Sequence, residues 1–161
     1  MKDLLMKRIL IPACLGLLIT ACGDQPTQGE LSVVSAADAV CRPTPNGRQA
    51  TGCYLTLTAS RDDRLMAVTS PVSGLAQVHE MKVESSMMMM RELTDGLPLP
   101  AGSAVALAPG GNHIMLMGVA KPLVTGDTVP LTLTFASARP VEIVARVGQP
   151  ALAGTGHGGE H

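Results

Sequence analysis

Three short stretches of this 161-residue chain concentrate imidazole and thioether side chains: His79-Glu80-Met81, Met87-Met88-Met89-Met90 and His113-Ile114-Met115-Leu116-Met117. Of ten methionines, seven fall between residues 79 and 117, together with two of the four histidines. Residues two apart on a β-strand project to the same side. His79 and Met81 would then share a face, as would Met88 and Met90, and again His113, Met115 and Met117. Three strands could in this way present nitrogen and sulfur donors to a common point. Thioether sulfur is soft and uncharged, and with imidazole it favours Cu(I) over zinc, magnesium or calcium. A set of two histidines and two methionines carries no charge of its own. It can hold a monovalent ion without the grip of thiolates, which suits a protein that must give the ion away. Met87 and Met89 have the opposite parity and read as packing or surface residues, while the isolated Met66 reads as core filler.

The elements that must position these groups read as strands and turns. Tyr54-Leu55-Thr56-Leu57-Thr58, Leu131-Thr132-Leu133-Thr134-Phe135 and Val141-Glu142-Ile143-Val144-Ala145-Arg146-Val147 alternate at period two. Pro45-Asn46-Gly47, Pro109-Gly110-Gly111-Asn112 and Thr125-Gly126-Asp127 supply turn signals between such runs. No segment sustains an apolar period of 3.6 with caps at both ends; only Ala36–Val40 offers a short helical turn. The pattern predicts a single all-β domain, a sandwich or barrel.

Both ends of the chain read differently. Residues 1–21 form a signal peptide: Lys2, Lys7 and Arg8 precede an apolar run from Ile9 to Thr20, too short to span a bilayer. Ile19-Thr20-Ala21-Cys22 resembles a bacterial lipobox, which makes Cys22 the lipidation site and the protein an exported, membrane-anchored lipoprotein in a periplasmic or other extracytoplasmic compartment. Residues 22–30 read as a tether, 31–148 as the folded domain, and 149–161 as a flexible Gly/His tail. Removing residues 1–21 takes three basic residues and one acidic one, leaving nine Lys+Arg against twelve Asp+Glu, a charge of about −3. Cys41 and Cys53 then remain in an oxidising compartment. A disulfide is the default reading, with a redox-active or metal-binding pair as the alternative.

Composition excludes several function classes. Tyr54 and Phe135 are the only aromatic residues, tryptophan is absent, and the formal net charge of the whole chain is −1. Nucleic-acid binding needs stacking platforms or a basic surplus, and neither is present. No Ser/His/Asp arrangement, paired-carboxylate motif or phosphate loop suggests an enzyme. Blue-copper electron transfer needs a Cys thiolate among its ligands, and neither Cys41 nor Cys53 lies in a suitable motif. The competing non-catalytic reading is an exported lipoprotein that binds a protein partner and no metal.

From about Val33 to Val147 the chain resembles the periplasmic copper chaperones of the PCuAC family, which share a His-x10-Met…His-x-Met pattern. Ten residues separate His79 from Met90, and His113-Ile114-Met115 follows after twenty-two more. Asp63-Arg64-Leu65, Ser70-Pro71-Val72, Met90-Arg91-Glu92-Leu93, Leu97-Pro98-Leu99-Pro100-Ala101-Gly102 and Gly126-Asp127 extend the resemblance. It implies a cupredoxin-like Greek-key β-sandwich with a Cu(I) site of His79, Met90, His113 and Met115. It also implies delivery of copper to cytochrome c oxidase, at its CuA centre, or to another copper chaperone. Met81, Met88 and Met117 are secondary candidate ligands. His157 and His161 correspond to the His-rich tail with which some members capture Cu(II). The family commonly has a tryptophan where this chain has Cys41 and a small residue where it has Cys53, so a Cys41–Cys53 disulfide would take over from an aromatic anchor. Protonation of the histidines would weaken Cu(I) binding as pH falls through roughly 6–6.5.

Overall fold

A computed structural model describes residues 31–44 and 47–150. The expected signal peptide and tether with Cys22, the Pro45-Asn46 pair, and residues 151–161 with His157 and His161 lie outside the described residues. Among the described residues there are ten strands and no helix. They are β1 (Val34–Cys41), β2 (Ala50–Ala59), β3 (Asp63–Thr69), β4 (Ser73–Glu84), β5 (Met87–Glu92), β6 (Leu97–Leu99), β7 (Ala104–Leu107), β8 (His113–Val119), β9 (Thr128–Phe135) and β10 (Val141–Val147).

The strands form one hydrogen-bonded sheet in the order β5-β4-β8-β2-β1-β10-β9-β3-β6. β2 serves two partners on the same side: Ala50–Cys53 pairs with β8, and Leu55–Thr58 pairs with β7. Alternation along β2 is complete, burying Thr51, Cys53, Leu55, Leu57 and Ala59 while their neighbours stay partly exposed. β9 buries Val129, Leu131, Leu133 and Phe135 in the same fashion. Leu65 and Val68 of β3, the β9 set, Ile114 and Leu116 of β8 and Leu55 of β2 all belong to one apolar cluster. The sheet therefore curls around a single core instead of lying flat, and the expected single all-β domain is what forms.

Two local expectations are corrected. Ala36–Val40 is not a helical turn but part of β1, and the register of β1 against β2 shifts between Ala37 and Val40. Asp38 sits there with φ 56°, a left-handed conformation that aspartate tolerates better than most residues. The bulge breaks the alternation that would otherwise mark a strand. Met66 is not core filler; it is 44% exposed. The register of β3 against β9 shifts between Leu65 and Ala67, so Leu65 and Val68 take the buried positions and Met66 is turned outward.

Cys41 and Cys53 face each other directly across β1 and β2 and are joined by a disulfide. Both are fully buried.

Candidate metal centre

The histidines and methionines meet on the outer face of β5-β4-β8, the face turned away from Val78, Ile114 and Leu116. Register decides which groups are neighbours. His79 of β4 lies directly opposite His113 of β8. One same-face step along, Met115 lies opposite Gln77 and also opposite Gly52 of β2. One step the other way, Met81 lies opposite Met90 of β5. The two-histidine rung is thus bracketed by thioethers, Met115 on one side and Met81 with Met90 on the other. Met88 pairs with Val83 and Met117 with Leu75, each two steps from the histidine rung. A step of two residues is about 7 Å at ordinary strand rise. Met90 is therefore nearer the histidines than Met88, although both share the face. Met87 and Met89 pair with Glu84 and Lys82 on the opposite face, and both are exposed.

The two rings stand edge to face, with centroids 5.8 Å apart. His113 is only 7% exposed. The Pro109-Gly110-Gly111-Asn112 turn, with Gly110 at φ 83°, delivers the Gly111 carbonyl to within 3.0 Å of His113 Nδ1. That nitrogen donates to the carbonyl, which leaves the Nε2 lone pair available to a ligand. His79 is arranged the other way. Its Nε2 lies 3.2 Å from Gln77 Oε1, and Gln77 Nε2 donates to Glu92 Oε2 at 2.6 Å. Since the amide NH2 is committed to the carboxylate, Oε1 must accept, and His79 Nε2 carries the proton. His79 Nδ1 is buried without a hydrogen-bond partner. A buried nitrogen lone pair with nothing to accept from is costly unless something else fills the role. Burial, then the neighbouring His113, push the His79 pKa below its ordinary 6.5, against an upward pull from Glu92. The imidazole is kept neutral, the form a metal requires.

Tyr54 supplies one wall. Its ring centroid is 6.3 Å from that of His113, and the Arg42 guanidinium lies 5.7 Å from the Tyr54 ring centroid. Its hydroxyl passes so close to Gly52 that an added Cβ there would meet it at 2.9 Å. A cavity of about 290 Å³ opens beside the site, lined in part by Arg42, Arg48, Tyr54, His113 and Met115. Among the described residues, no three or more His, Cys, Asp or Glu side chains gather as a metal-binding group. Both described cysteines are held in the disulfide, so neither offers a thiolate for a blue-copper centre. A metal at this face would have to draw on thioethers.

The structure thus brings His79, His113, Met115, Met81 and Met90 onto adjacent rungs of one face, with Met88 and Met117 further out. Gln77, Glu92 and Tyr54 were not among the expected site residues. For Gln77 a signal existed: it stands two residues before His79, hence on the same face. Tyr54 and Glu92 reach the site only through strand register, which local pattern does not reveal.

Solved structures share the fold. The "Copper-bound PCuAC domain from PmoF2" aligns with a TM-score of 0.60 at 27% identity, over 76% of this chain and 97% of that one. The "Solution structure of CuI-DR1885 from Deinococcus Radiodurans" aligns with a TM-score of 0.54 at 28% identity, over 73% of this chain and 77% of that one. The PCuAC-type, cupredoxin-like β fold expected from the sequence is the fold present. Among curated proteins, "Putative lipoprotein Lxx21020" of Leifsonia xyli subsp. xyli is 39% identical over 88 residues, which is 53% of each chain. The aligned stretch thus spans about half the length of that relative. The profile described as "Putative lipoprotein LpqE-like" matches residues 34–147. Those limits are the first residue of β1 and the last of β10, so the whole folded sheet is matched and the chain belongs to the LpqE-like family.

Proposed function

We propose that the protein is an extracytoplasmic copper chaperone that binds Cu(I) through His79, Met90, His113 and Met115. The observation that carries this reading is the His79–His113 rung, flanked by thioethers, with the buried Nδ1 of His79 unpartnered. Its donor set is neutral and soft, the combination that favours Cu(I). The copper-bound solved domains named above, similar in fold, support it.

Copper is the cargo. In transfer, a thiolate or imidazole of the acceptor displaces the weakly held thioethers first, while His79 and His113 keep the ion in position. The ion remains Cu(I) throughout, and no group needs to be oxidised or reduced. An acceptor at the CuA centre of cytochrome c oxidase, or a second copper chaperone, fits the resemblance to PCuAC proteins. A lipid on Cys22 would hold the domain at a membrane surface, near a membrane-bound acceptor. His157 and His161 would take Cu(II), if the tail adds a second oxidation state to the cargo.

Competition for Cu(I) against a coloured chelator tests the site. His79→Ala combined with His113→Ala should weaken Cu(I) binding at least a hundredfold, since it removes both nitrogen donors. Affinity unchanged by that double substitution would show the ligand assignment to be wrong. Failure of the unaltered protein to compete for Cu(I) at all would instead favour a partner-binding lipoprotein.

A further inference from the structure

We propose that the β4–β5 hairpin carries a second, weaker site for a soft monovalent cation, formed by the thioethers of Met81, Met88 and Met90. Met81 and Met90 face each other directly, and Met88 stands diagonally from Met81 on the same face. Direct and diagonal cross-strand neighbours lie about 5 and 7–8 Å apart, within reach of flexible side chains. Val83 is opposite Met88, so from Met81 to the hairpin tip this face bears no charged side chain. The charges of the hairpin sit on its other face, where Arg91 pairs with Glu80 and Glu84, and Lys82 with Glu84. Glu92, one step inward on the thioether face, is engaged by Gln77.

Exposure argues that the two β5 methionines of this set are not there for packing, while Met81 is half-buried beside them. All six residues of β5 are exposed, Met88 at 56% and Met90 at 46%. An edge strand of exposed thioethers buries no core, but it is open to an ion arriving from solvent. Three neutral sulfurs without an imidazole bind Cu(I) or Ag(I) more weakly than a mixed His/Met set, so the site suits capture more than storage.

This role rests on the proposed Cu(I) site, because Met90 belongs to both. An ion held by Met81, Met88 and Met90 moves inward when Met90 keeps its bond. The bonds to the Met81 and Met88 sulfurs break as bonds to His79, His113 and Met115 form. The ion enters and leaves as a monovalent cation, with no electron or proton transferred.

The test uses the protein labelled with 13C at the methionine methyls, titrated with Cu(I) under reductant and separately with Ag(I). In the His79→Ala/His113→Ala variant, the Met81, Met88 and Met90 methyls should still shift, with an affinity at least a hundredfold below that of the unaltered protein. Adding Met81→Leu and Met88→Leu should remove that residual binding; both sites are on the hairpin surface, and a preserved amide spectrum controls for folding. Hairpin methyls that do not move in the double-histidine variant, while the unaltered protein binds one ion tightly, overturn this inference and leave the proposed function standing. Hairpin shifts with no contribution from the histidines support the inference and overturn the proposed function. No binding of either ion by the unaltered protein overturns both.

Discussion

At the scale of single residues, the chemistry turns on which nitrogen of each histidine is free. Gly111 fixes His113 through Nδ1 and Gln77 fixes His79 through Nε2, so the two rings would offer different atoms to one ion. Burial of His79, with His113 beside it, also makes protonation of His79 costly in the folded state. Its folded pKa lies below the ordinary 6.5, so above that value neither the folded nor the unfolded chain holds the proton. As pH falls through 6.5 the unfolded chain takes it up first, and stability is lost until the lower folded value is passed. Urea unfolding of the metal-free protein between pH 8 and 5 should therefore show a falling midpoint that His79→Gln flattens. An identical slope in that variant would sink the argument. For copper, the same depression moves the acid loss of the His79 ligand below the roughly 6–6.5 expected of an unperturbed imidazole. The pairing of His79, Met90, His113 and Met115 on one face was legible from spacing by two and from family resemblance. The Gln77–Glu92 hydrogen bond that sets the His79 tautomer was not, since those two residues are on different strands and meet only when the register is known.

At the scale of elements, the ten-residue gap between His79 and Met90 is a property of a hairpin. Glu84 pairs with Met87, which leaves Ser85-Ser86 as a two-residue loop. Both serines have positive φ, 50° and 66°, the conformation of a type I′ turn that favours Asn-Gly. The strict pairing then sets Met81 against Met90 and puts Met88 and Met90 on the histidine face. A slip of one residue would turn both away. The serines bear a left-handed backbone cost that glycine avoids, partly offset by glycine's greater entropy when unfolded. Ser86→Gly should therefore stabilise the hairpin by about 0.5–1 kcal/mol. Amide exchange along β5 would read this as roughly two- to fivefold greater protection, and unchanged or lower protection would refute it. This turn escaped the sequence reading because Ser-Ser is a weak turn signal compared with the Pro-Gly and Gly-Asp pairs elsewhere. The bulge at Asp38 escaped for the same kind of reason: one extra residue breaks the alternation on which strand recognition depends.

At the scale of the whole molecule, β1 joins two halves of the sheet. On one side are β2, β8, β4 and β5 with the candidate site; on the other are β10, β9, β3 and β6. Alternation made the strands legible one by one, but their order is a matter of contacts between distant segments and leaves no local mark. The core that closes over both halves is almost wholly aliphatic, with Phe135 its one aromatic member. Cys41 and Cys53 tie β1 to β2 at the junction, where the family resemblance led one to expect a tryptophan. Their separation is 12 residues, and closing a loop of that size removes about 3 kcal/mol of unfolded-state entropy in the chain-entropy model. Cys41→Ala with Cys53→Ala avoids leaving buried hydroxyls and should lower unfolding stability by about that amount. The site should respond differently. The His79–His113 rung is set by β4 against β8, and Cys53 enters it only as the β2 partner of Ile114. While the variant remains folded, its Cu(I) affinity should therefore stay within about threefold of the disulfide-bonded protein, or about 0.6 kcal/mol, since the Cys53 side chain is buried in the core and not on the metal face. Denaturant unfolding and chelator competition on the same samples separate the two effects. A large loss of Cu(I) affinity together with the loss of stability would mean that the junction, and not the β4–β8 register, sets the geometry of the metal face.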